Sequence, residues 1–216
     1  RSFSTPDRSQ FNKKEEKGDE NLMSQCEALL DLLEKKMRLV LTPPHVRVVK
    51  KTLSNLTGGL IETSSTGDIV ICIADRHLYQ LKNKINKLQS LKRNIYPVFA
   101  PSIKKIIANI LMQIITTIAH ELFHEREGRF RPEIFTASIS ATAQKGKQNH
   151  IYNSDIGERR ATAFSLRMLR ELKTIIEEDS QFKESAVGMI LNVHISSYYK
   201  EQLSYLEARN PRKKST

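Results

Sequence analysis

The chain has 216 residues, enough for one well-cored domain with loose ends. Apolar residues make up 39% and aromatics 6%, with no Trp, which fits a polar, helix-rich globule and argues against an all-β protein. Thirty-five Lys and Arg against 24 Asp and Glu leave a formal charge of +11, but the basic residues are scattered, so solvated helix faces explain most of the excess and nucleic-acid binding is the lesser expectation.

Residues 1–20 hold little that can be buried and are expected to form a disordered lead-in. The first residue is Arg1, so a trimmed or processed start is expected, and a removed leader would leave no trace. From Asn21 to Leu41, Leu22, Cys26, Leu29, Leu33 and Met37 recur at helical spacing, and Pro43-Pro44 then stops the helix. Val46 to Thr66 reads as short extended pieces around a Gly58-Gly59 turn. Ile69 to Ile73 is a continuous, β-branched run and predicts a buried strand. That continuity favours a central strand over an edge to which an extended substrate adds. Leu78, Leu81, Ile85, Leu88 and Leu91 predict another helix, with His77 as a capping group at its start.

Ser102 is the expected N-cap of a long helix. Ile103, Ile106, Ile107, Ile110, Leu111, Ile114, Ile115 and Ile118 form its apolar stripe, and Gly128 is a natural end. Asn109, Gln113, Thr116 and Thr117 interrupt that stretch, so no membrane span is expected. Phe130 to Asn153 is loop-like, a helix follows from about Asp155 to Glu178, and the last helices use Phe182 to Tyr205. Residues 209–216 form a basic tail. Cys26 and Cys72 lie far apart and make no metal-type pair, so a reducing compartment is the simpler reading. The order of elements predicts a single α+β, helix-dominated domain over residues 21–208, with a small sheet beside the long helix.

His120-Glu121-Leu122-Phe123-His124 is an H-E-x-x-H sequence within that helix. Residues four apart share a helix face, so both imidazoles can reach one ion about 2 Å from each nitrogen. Glu121 then projects toward the open coordination position, where it can take a proton from water. At about 100° per residue, Gln113, Thr117, His120 and His124 form a polar stripe apart from the isoleucines.

Two His ligands do not complete a catalytic zinc site. A third His six residues on is ruled out by Phe130, and Glu127 replaces the Gly that accompanies it, so the metzincin pattern is excluded. Glu158 is the leading third ligand, at the edge of a packed side marked by Ala161, Phe164, Met168, Leu169 and Leu172. A carboxylate beside a buried stripe needs a partner. Small Ala161, one turn on, would let the two helices approach closely. His150 and Asp155 are the rivals, and Asp155-Ile-Gly-Glu158 also reads as an N-cap followed by a capping-box Glu.

The pair Ala119-His-Glu-Leu-Phe-His124 and Glu158-Arg-Arg-Ala-Thr-Ala-Phe164 resembles the gluzincin class of metallopeptidases, most nearly the ImmA/IrrE-type family. The resemblance implies a zincin-like fold, Zn2+ held by His120, His124 and Glu158, and Glu121 as the catalytic base and acid toward a zinc-activated water. It implies a zinc endopeptidase with a protein or peptide substrate. Bacterial effector proteases with isolated H-E-x-x-H motifs are similar too, so the expected location is the cytoplasm or, for an effector, a host-cell cytosol. The developing oxyanion needs a donor besides the metal, and His150, Tyr152 and Tyr198, with His194 and Tyr199, are the candidates. The alternative function is a basic module that binds nucleic acid or an acidic protein, with structural zinc or none.

Overall fold

The computed structural model describes residues 22–41, 47–53, 59–63, 69–93, 100–133 and 156–208. The expected lead-in over 1–20, the basic tail over 209–216, and His150, Tyr152 and Asp155 lie outside the described residues. The elements are α1 (Leu22–Leu41), β1 (Arg47–Lys51), β2 (Gly59–Thr63), β3 (Ile69–Ala74), α2 (Asp75–Arg93), α3 (Ala100–Phe130), α4 (Ile156–Glu178), α5 (Ser180–Lys183) and α6 (Ala186–Ala208). The fold is α+β and helix-dominated.

Helix α3 is the centre of the molecule. Its apolar stripe buries Ile103, Ile107, Ile110, Leu111, Ile114, Ile115 and Ile118. Helices α1, α2, α4 and α6 and the strands β2 and β3 pack around it. Ile106, expected in the same stripe, is left partly in solvent at the outer edge. Among the described helices, α3 alone has the length and apolar composition of a membrane span, and more than half of that stretch is buried within the fold.

The sheet has the order β1-β3-β2. β3 is central, as its hydrophobic continuity predicts, with β1 parallel on one side and β2 antiparallel on the other. Side chains alternate across a strand. Ile71 and Ile73 enter the core, while Cys72 between them turns to the other face. There its thiol points to the Glu62 carboxylate at 3.4 Å, which also receives Lys51 Nζ at 2.6 Å. Gly59 is the first residue of β2, opposite Ile73, and not a turn residue. Cys26 and Cys72 are both free and buried.

Several boundaries differ from the sequence expectation. α2 starts at Asp75, whose carboxylate accepts a hydrogen bond from the Thr52 hydroxyl at 2.7 Å. His77 therefore does not cap it; the ring is buried and neither nitrogen has a hydrogen-bond partner among the described residues. α3 begins two residues before Ser102 and runs past Gly128, where Arg131 N donates to Glu127 O at 2.8 Å. Ion pairs from Glu125 to Arg129 and from Glu127 to Arg160 hold that last turn against the local preference of glycine. α6 is capped by Ser185, whose Oγ accepts from Gly188 N at 3.0 Å. A Cβ at Gly188 would lie 1.9 Å from the Phe182 carbonyl oxygen, so this turn closes only on glycine.

Leu111 is fully buried at the middle of α3. Leu111→Ala should lower the unfolding free energy in a urea titration by about 2–5 kcal/mol. Val193→Ala, on the exposed side of α6, should change it by less than about 0.5 kcal/mol.

Candidate metal centre

One turn of α3 separates His120 from His124, and their rings meet edge to face with centroids 4.6 Å apart. Their Nε2 atoms lie 3.0 Å from each other. Glu158, in the first turn of α4, closes the triangle: Oε2 is 3.0 Å from His120 Nε2 and Oε1 is 3.2 Å from His124 Nε2. Among the described residues this is the only group of His, Cys, Asp or Glu side chains disposed to hold a metal ion.

The donor set fits zinc. Four ligands about 2.0–2.1 Å from a tetrahedral ion stand roughly 3.3 Å from one another. The observed spacings need to open by only a few tenths of an ångström. Two imidazoles and one carboxylate are also the three-ligand set that leaves a fourth position for water. Both Glu158 oxygens face imidazole nitrogens, which favours Glu158 as the third ligand over a capping role alone.

Close helix packing makes the triangle possible. Ala119 on α3 and Ala161 on α4 are fully buried, and Ser165 Oγ donates to the Thr116 carbonyl on α3 at 2.9 Å. Bulkier side chains there would hold α4 away and leave Glu158 short of the histidines. Beyond the triangle, Glu127 pairs with Arg160 at 2.6 Å. The Arg160 guanidinium lies over the Phe123 ring at 5.8 Å, and Phe123 stacks on Phe164 at 5.4 Å. The carboxylate next to the ligands is thereby neutralised, and an aromatic wall covers the seam between the two helices.

The electrostatics follow from this burial. Burial opposes the charge on Glu158, yet the two imidazoles overcome it and hold the carboxyl down to about 2. In His124 burial favours the neutral ring, but Glu158, Glu121 and Glu127 together raise its proton affinity. Glu121 is shifted the other way from Glu158. Its carboxyl is raised, chiefly by burial, and only partly restrained by His120 and His124.

Other candidates stand apart from the triangle. Tyr198 packs against the core with its hydroxyl on Thr116, one turn before His120. Tyr199 accepts a hydrogen bond from Arg170. Partial burial, and then Lys105, lower the proton affinity of His194. None of the three joins the ligand cluster. Gln113, at the start of the polar stripe, is exposed, whereas Thr117 is half-buried against β2. The sequence reading missed the Glu127–Arg160 pair, although two basic residues directly after Glu158 were its visible signal. It also missed Gly59, which abuts Glu121 across the sheet edge.

No protein-family model matches this sequence, and neither does a curated protein or a solved structure.

The chain should bind one Zn2+. His124→Ala or Glu158→Ala should weaken binding by more than the roughly 10–100-fold typical of lost supporting contacts, as read by competition with a chelating dye. Glu158 stabilises the metal-free fold above its ordinary value of 4.5 and loses that effect as pH falls toward about 2. His124 contributes fully below its ordinary 6.5 and loses its effect as pH rises past its raised value. The triangle should therefore stabilise the metal-free protein most between pH 4.5 and 6.5. Zinc must displace the His124 proton, so its stabilising effect in thermal melts should grow above that range. An equal zinc effect at acidic and alkaline pH would contradict this.

Proposed function

We propose that the protein is a zinc-dependent endopeptidase of gluzincin type, similar to the ImmA/IrrE-type family. The observation that supports this reading most is the convergence of His120 Nε2, His124 Nε2 and both Glu158 oxygens, with Glu121 beside the first of them. A structural zinc site is closed by four protein ligands, whereas among the described residues this one offers three and a neighbouring carboxylate.

When bound, zinc would acidify a water molecule and polarise the scissile carbonyl. His120 and His124 hold their ligand nitrogens on one helix face, and Glu158 fixes the third corner from a second helix. Glu121 carries the proton. Its carboxylate takes one from the water as the oxygen–carbon bond forms, and delivers it to the amine nitrogen as the carbon–nitrogen bond breaks. Burial makes this carboxyl more basic than usual, which suits a group that must both accept and return a proton.

An extended peptide is the substrate form that suits the surroundings. β2 is an edge strand among the described residues, and its first residue lies beside Glu121. A peptide adding along β2 would bring backbone carbonyls past the proton carrier. β2, and not the central β3, is the strand available for this.

Glu121→Gln keeps the shape of the side chain and removes its basicity. It should retain zinc and lower peptide turnover by about 10²–10⁴-fold, measured by mass spectrometry on a mixed peptide library. Full turnover by the zinc-loaded variant would refute the assignment.

A further inference from the structure

At Gly59, β2 leaves no room for a side chain between its backbone and Glu121 unless a neighbour shifts. A Cβ built at Gly59 would lie 2.8 Å from Thr117 Cγ2, 2.9 Å from Glu121 Cγ and 3.1 Å from Glu121 Oε1. Carbon atoms in ordinary contact stand about 3.5–4.0 Å apart. The backbone angle of Gly59 is not in the left-handed region, so the constraint on a side chain here is space and not backbone strain.

The strand and Thr117 are both held in place. Gly59 pairs with Ile73, which is buried in the core, so β2 is held toward α3. Thr117 is β-branched and helical, with restricted rotation, and it stands one turn before Glu121. A methyl group at position 59 would therefore have to be accommodated by the Glu121 side chain, whose stem and one carboxylate oxygen it meets. On the same helix turn, His120 and His124 bear the metal-facing nitrogens.

We infer that Gly59 is a positioning residue: its missing side chain leaves the slot in which the Glu121 carboxylate is held beside the His120–His124–Glu158 triangle. The functional consequence rests on the peptidase reading above, whereas the packing does not. A turn glycine would have no such link to Glu121.

The test uses the full chain loaded with Zn2+ and acetohydroxamic acid as the probe. A hydroxamate chelates zinc and can share its hydroxyl proton with an adjacent carboxylate, so its affinity reports where that carboxylate stands. Gly59→Ala should keep one zinc per chain and bind the hydroxamate about tenfold or more weakly, the loss expected for one charge-assisted hydrogen bond. Glu121→Ala should show a similar loss, and the double variant should be no weaker than Glu121→Ala alone. Wild-type hydroxamate affinity in Gly59→Ala, or losses that add in the double variant, would overturn the inference.

A thermal comparison without metal gives a second measurement. Gly59→Ala should lower the melting temperature by roughly 2–8 °C in the wild type and by clearly less when Glu121 is Ala. An equal drop in both backgrounds would overturn the slot. If Gly59→Ala fails to fold, the same comparisons are made with Thr117→Ser present throughout, which removes the nearest clashing methyl. Failure of the peptidase reading looks different: the wild type then takes up no zinc, and the thermal comparison alone decides the role of Gly59.

Discussion

A carboxylate withdrawn from water between two imidazoles is the constraint on which the site depends. Glu158 is largely buried, and His120 and His124, which both face it, hold it ionised against that burial. Removing one member leaves an unbalanced buried charge, which costs more than a surface pair would contribute. A divalent cation satisfies the same three groups more completely than they satisfy one another. Two nitrogens 3.0 Å apart compete for one proton, whereas both can donate a lone pair to an ion.

The rest of the fold brings these groups together. The isoleucine stripe anchors α3 on one side, leaving His120 and His124 on another. Ala119, Ala161 and Ser165 bring α4 close enough for Glu158 to reach across. The Glu127–Arg160 pair and the Phe123–Phe164 stack close the seam beyond the ligands. On the opposite flank β2 presses Gly59 against Glu121, so the proposed proton carrier lies between a strand and the ligand triangle. An edge strand on one side of Glu121 and a metal-competent triangle on the other would suit the proposed extended substrate.

Much of this was legible in the sequence because it is periodic. The spacing of His120 and His124 is a helical turn, and the isoleucines repeat at steps of three and four, so α3 and its two faces follow from local pattern. Glu158 was legible because it borders the packed side of α4, with Ala161 behind it. β3 stood out by its unbroken β-branched run. What was not legible depends on partners distant in the chain. β1, with the sequence Arg-Val-Val-Lys-Lys, pairs with β3 more than twenty residues away. Gly59 looked like half of a turn because nothing local reveals that Glu121 sits against it. The overrun past Gly128 comes from ion pairs, one of them to another helix, that outweigh the local stop signal.

Two histidines and one glutamate from two helices are proposed to coordinate a single zinc ion. Zinc X-ray absorption on the loaded full chain tests it most directly. Four light-atom neighbours are expected at about 2.0–2.1 Å, with the multiple-scattering pattern of two imidazoles, and one imidazole's scattering should be lost in His124→Ala. A sulfur neighbour at about 2.3 Å, or a spectrum unchanged by that substitution, would contradict it.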